Sequence, residues 1–138
     1  MRLDVVLRVV TKLLLPFILV FGLYVQFHGE VGPGGGFQAG VIVAACIILY
    51  AIMFGLDRAM RVLSVKAVEK MISLGVLLYL GTGVAGMLMG GEFLNYSVLE
   101  HDPVAGQHLG ITLIELGVLI TVAGTMVAIF YAFAGRGR

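Results

Sequence analysis

His28-Gly-Glu-Val-Gly-Pro-Gly-Gly-Gly-Phe-Gln-Ala-Gly40 is the one dense cluster of glycine, proline and polar groups in the front half of the chain. Pro33, Gly34, Gly35 and Gly36 follow one another, a run that no ordinary helix interior tolerates. Before it, Leu13 to Phe27 carries no charge; after it, the apolar sequence resumes at once with Val41-Ile-Val-Ala-Ala. The stretch therefore reads as a sharp reversal that ends one helix and starts another. Glycine supplies positive φ in such a turn, and Pro33 fixes one φ near the turn value.

Two apolar helices joined this way need an apolar surrounding, and the composition calls for one. Of 138 residues, 60 % are hydrophobic and only 12 % are charged; the mean hydropathy is +1.08. A soluble domain is roughly half apolar and a quarter charged, so this chain lacks the polar surface to cover a globule. The class is integral membrane protein. A net charge of +1 gives no footprint for nucleic acid. Cys46 is the single cysteine, which excludes a disulfide within the chain and offers no thiolate metal set. It reads as a packed, unreactive thiol. There is no Trp, so an interfacial belt would use Tyr24, Tyr50, Tyr79, Tyr96 and Tyr131.

Outward from the turn, four spans are expected, at about 9–28, 37–56, 69–91 and 106–133. Arg2, Asp4, Arg8 and Lys12 form an interfacial lead-in to the first. That span reads as a retained helix, because Gln26, Phe27 and His28 follow its apolar run where a cleaved signal would have small residues. Pro16 falls near its start, where proline is tolerated or gives a mild kink. Asp57 to Lys70 makes an amphipathic charged connector at the interface. The third span carries Gly75, Gly81, Gly83, Gly86 and Gly90, and glycine at this density lets another helix come close. Glu92 to Pro103 is an acidic loop without lysine or arginine. No internal repeat is present. The expected fold is all-α, a four-helix integral membrane protein in which residues 1–138 form a single membrane domain.

All nine basic residues lie in the lead-in, the connector or the tail after the fourth span. Four spans put those three places on one side of the membrane and the two acidic loops on the other. The positive-inside rule then makes both termini cytoplasmic and the protein multi-pass in the plasma membrane.

Glu115 is the main candidate for chemistry. It stands about nine residues into the fourth span, roughly 13 Å along the axis at 1.5 Å per residue. A carboxylate there costs at least ~2.5 kcal/mol unless it is protonated, paired or wetted. His108, seven residues earlier, and Thr112, three earlier, share its helix face. A polar stripe with an acid at depth suits a proton or cation path; the same acid also suits a hydrogen bond that fixes a neighbouring helix. His28 and Glu30 stand at the outer end of the first span, as candidates for the proton path or as groups that bond backbone of the turn. Two such ligands without a third make no metal site. Glu92, Glu100, His101 and Asp102 read as solvated residues of an acidic mouth. The triple glycine lacks the Gly-Lys-Ser/Thr ending of a phosphate loop. No Ser/His/Asp or Cys/His set is assembled, so neither enzymatic catalysis nor a cofactor is expected.

His28-Gly29 followed by Pro33-Gly34-Gly35-Gly36-Phe37-Gln38-Ala39-Gly40 resembles the signature of the MnhB/MrpB family, small subunits of the Mrp-type multisubunit Na+(or K+)/H+ antiporters. Related subunits of membrane-bound hydrogenase and sulfane reductase complexes carry a similar stretch. Gly106-Gln-His-Leu-Gly110-Ile-Thr-Leu-Ile-Glu115-Leu-Gly117 resembles the fourth span of the same family. The likeness covers nearly the whole chain, with Glu30 where the family often has a second His. The resemblance implies a small accessory subunit of a hetero-oligomer that couples Na+ or K+ to H+ movement in the bilayer. It also implies a structural role for the turn Pro33, Gly34, Gly35, Gly36 and Phe37. Two other classes fit the residues: a membrane subunit of a redox-driven ion pump, and a purely structural assembly subunit.

Overall fold

The computed structural model describes residues 3–29, 34–93, 95, 99 and 103–136. Five helices make up the described chain: α1 Leu3–His28, α2 Gly36–Phe54, α3 Leu56–Val62, α4 Val65–Leu88 and α5 Pro103–Ala134. The described residues contain no strand. Among them, Asp4–His28, Gly36–Phe54, Val65–Leu88 and Val104–Ala134 are long and apolar enough to cross a membrane. The lead-in is part of α1, which begins at Leu3 and runs through Pro16. The charged connector is divided between α3 and the first turns of α4.

Helix boundaries follow local chemistry. α2 stops at Gly55, whose φ of 103° is open to glycine and costly to other residues. The Gly55 N–H donates to Ala51 O and closes the helix. Ser64 caps α4, its hydroxyl accepting from Ala67 N at 3.1 Å.

The spans lie in the order α1, α2, α5, α4. The main packings are α1 on α2, α2 on α5 and α5 on α4, while α1 touches α5 at few places. Small residues set the spacing. α2 buries Gly36, Ala39, Gly40, Ala44 and Ala51, and a β-carbon on Gly40 would stand 2.9 Å from Val122 Cβ and 3.0 Å from Leu119 O. Gly75 does the same for α4: a β-carbon there would run into the Thr121 hydroxyl and come within 2.6 Å of Gly117 O. With no hydrophobic drive between helices in lipid, such close backbone approach supplies the packing energy. Thr121 also donates to Ile72 O at 3.3 Å, tying α5 to α4.

The core sits at the end of the molecule where α3 lies. It gathers Ala44, Ala51, Ala59, Val68, Val127 and Tyr131. The Tyr131 hydroxyl donates to Leu63 O at 2.8 Å, at the extended residue between α3 and α4. Between α2 and α1, the Cys46 thiol donates to Leu15 O at 3.6 Å, and Lys12 Nζ of α1 lies 5.5 Å from the Phe54 ring centroid.

Candidate functional site at the glycine turn

Gly34 and Gly35 have φ of 149° and 141°, conformations that residues with a β-carbon rarely adopt. They bring the chain back tightly against α1. A β-carbon on Gly34 would stand 2.7 Å from Val25 O, and one on Gly29 would stand 3.0 Å from both Gly35 Cα and Gly35 N. Gly35 then opens α2, its carbonyl accepting from Ala39 N at 3.0 Å.

α2 has no side-chain cap of its own at Gly35. A carboxylate from another helix stands there. A β-carbon on Gly35 would be 3.2 Å from Glu115 Oε1 and 3.3 Å from Gln38 Oε1. One residue on, a β-carbon on Gly36 would overlap the Glu115 backbone carbonyl. The backbones of the turn and of α5 are thus in direct contact, and the Glu115 side chain lies along the first turn of α2. The first N–H groups of a helix have no acceptor within it, and its dipole is positive at that end. A negative charge in such a place is stabilised by about 0.3–1 kcal/mol, and by up to ~2 kcal/mol when partly buried. Glu115 is half-buried.

The level at which this contact occurs is uneven across the helices. α1 ends at His28 and α2 begins at Gly36, which meets Glu115, but α5 begins twelve residues earlier at Pro103. At 1.5 Å per residue that is about 18 Å of helix beyond the turn. α4 goes with it: Tyr79 is level with Gly117, a β-carbon on which would be 3.3 Å from Tyr79 N. From there α4 continues to Leu88, about 14 Å further. The α1–α2 hairpin is therefore a low floor beside a taller α4–α5 wall, and Glu115 stands at the foot of the wall. Sequence spacing sets Glu115 at depth and the turn at an outer end. Both meet at one place because the hairpin stops short.

The other candidates distribute around this step. Gly35 and Gly36 meet Glu115, while Gly34 lies against Val25 of α1 and Gly29. His28 ends α1, half-buried, its ring stacked on Tyr24 at a centroid distance of 5.1 Å and 15° between planes. Thr112 is half-buried and His108 exposed, both on the part of α5 that rises above the floor. Phe37 points outward and is 57 % exposed. Glu30 and Pro33 lie outside the described residues, as do Glu100, His101 and Asp102. Among the described residues no three His, Cys, Asp or Glu side chains come together as a metal site.

Two amides near the turn receive no role from the sequence, Gln38 although it lies inside the signature stretch. Gln26 is 2 % exposed, and its only signal in the sequence is a lone amide late in an otherwise apolar run. Gln38 stands three residues after Gly35 and faces the same point as Glu115.

A family model described as "Domain related to MnhB subunit of Na+/H+ antiporter" matches residues 6–128. A Staphylococcus haemolyticus protein named "Putative antiporter subunit mnhB2" is similar over 135 residues at 38 % identity, covering 96 % of this chain and 95 % of that one. Proteins of the same name from the Newman and NCTC 8325 strains of Staphylococcus aureus are similar to the same extent.

Proposed function

Since the chain belongs to the MnhB family of Na+/H+ antiporter subunits, we propose that it is the accessory membrane subunit of a multisubunit monovalent cation/proton antiporter and that Glu115 takes part in its proton path. It is a multi-pass membrane protein and a transporter component. In the proposed reading the complex moves H+ against Na+ or K+, both termini and the α2–α4 connector face the cytoplasm, and the glycine turn faces outward.

The observation that carries the reading is the Glu115 carboxylate against Gly35 at the first turn of α2. The carboxyl lies at a helix start, where backbone N–H groups have no acceptor within the helix, and among apolar spans. A carboxyl so placed is the group we assign to the proton path. Its position at the foot of the step supports access from the outer side along the stripe of His108 and Thr112. The names of the relatives favour the antiporter over a redox-driven pump.

Glu115→Gln tests this in the intact complex. The amide keeps the shape but cannot release a proton. The expected result is normal assembly with loss of cation/proton exchange, read as dye-reported proton movement in everted vesicles. Full exchange in a fully assembled Gln variant would instead support a subunit in which Glu115 only caps α2 and locks the turn.

A further inference from the structure

Gln26 Oε1 is buried and has no hydrogen-bond partner, alone in this among the described side chains. The other buried polar side chains are satisfied locally: Thr11 donates to Leu7 O at 2.7 Å and Thr82 to Leu78 O at 2.8 Å. A buried acceptor without a donor is costly, and native proteins fill such places with ordered water.

The location of Gln26 says what it serves. Gly22, Gln26 and Gly29 stand at i, i+4 and i+7, on one face of α1. Gly22 meets Ile42 and Val43 of α2, and Gly29 meets the backbone of Gly35. Gly35 in turn has Glu115 Oε1 beside it. Gln26 is thus within one helical turn of the contact between α1, the glycine turn and α5. Because this chain alone leaves it 2 % exposed, the side chain of another subunit cannot reach its oxygen. The missing donor has to be small.

We propose that Gln26 Oε1 holds a buried water molecule between α1, the glycine turn and α5, and that this water carries the polar path from Glu115 inward past the hairpin. Gln26 is then a positioning residue for that water. The inference rests on the proposed proton role of Glu115.

Two measurements on the intact complex decide it. In the wild-type complex, high-resolution density should contain a water within hydrogen-bond distance of Gln26 Oε1. Gln26→Leu, similar in size and unable to accept a hydrogen bond, should leave the subunit incorporated and reduce exchange at least tenfold in everted vesicles. Absence of that density overturns the proposal, whether or not the variant assembles. So does density for a cation, with several oxygens drawn in at metal distances. Unchanged exchange in an assembled Gln26→Leu complex overturns it as well. In that case loss of exchange in Glu115→Gln leaves the Glu115 reading standing, and full exchange in both variants removes that reading too.

Discussion

Glu115 Oε1 of α5 stands 3.2 Å from where a β-carbon on Gly35 would be, so the two most distinctive motifs of the chain form one contact. The turn and the acid are eighty residues apart in sequence, and each constrains the other. The acid stands beside the start of α2, and the glycines give it room.

That mutual fit makes Gly36 the least replaceable position. A β-carbon there meets the Glu115 carbonyl, which is backbone and cannot swing aside. Gly36→Ala should destabilise the α2–α5 contact by about 1–3 kcal/mol, the usual cost of overpacking. Gly81 is the control, since a β-carbon on it meets nothing within 4 Å. Gly81→Ala should be neutral or stabilising by up to about 1 kcal/mol for the chain itself. Thermal unfolding of the detergent-solubilised subunit compares the two.

The cap has its own signature. Glu115→Ala removes the charge at the start of α2 and should cost about 0.3–2 kcal/mol. Glu115→Gln should cost less, since the amide oxygen still accepts hydrogen bonds. The same melting assay ranks them, and a Gln variant less stable than the Ala variant would contradict the capping geometry.

At the opposite end, Tyr131→Phe deletes the hydroxyl that bonds Leu63 O. The expected loss is about 0.5–1.5 kcal/mol, without effect on cation/proton exchange. Loss of exchange at full assembly would tie the α3 end to transport.

The orientation can be read chemically. In a Cys46→Ala background, Arg136→Cys places the one thiol of the chain in the tail after α5. It should resist an impermeant thiol reagent applied outside intact cells and react in everted vesicles. Labelling from outside would reverse the predicted topology.

Much of this architecture is readable from residue types. Apolar runs flanked by charge mark the four spans, and the Pro-Gly run marks the hairpin. The polar stripe of His108, Thr112 and Glu115 follows from helical spacing alone. What spacing within one helix does not contain is the vertical offset between helices. That offset is set by which small residues meet across the contact, Gly36 with Glu115 and Gly75 with Gly117 and Thr121. The same limit hides Gln26: an amide in an apolar run looks alike whether it faces lipid, a partner or a closed interior, and only the packing of α1 on α2 and the turn separates these.

The order α1, α2, α5, α4 also bears on how the chain is made. The helix that lies between α2 and α4 is the last of the four spans to be synthesised. In the finished fold the hairpin and α4 meet chiefly through α5 and the short α3 segment. A nascent chain ending before Pro103 therefore lacks the main packing partner of both α2 and α4. The last span made, the 32-residue α5, is thus the one that completes both packings at once.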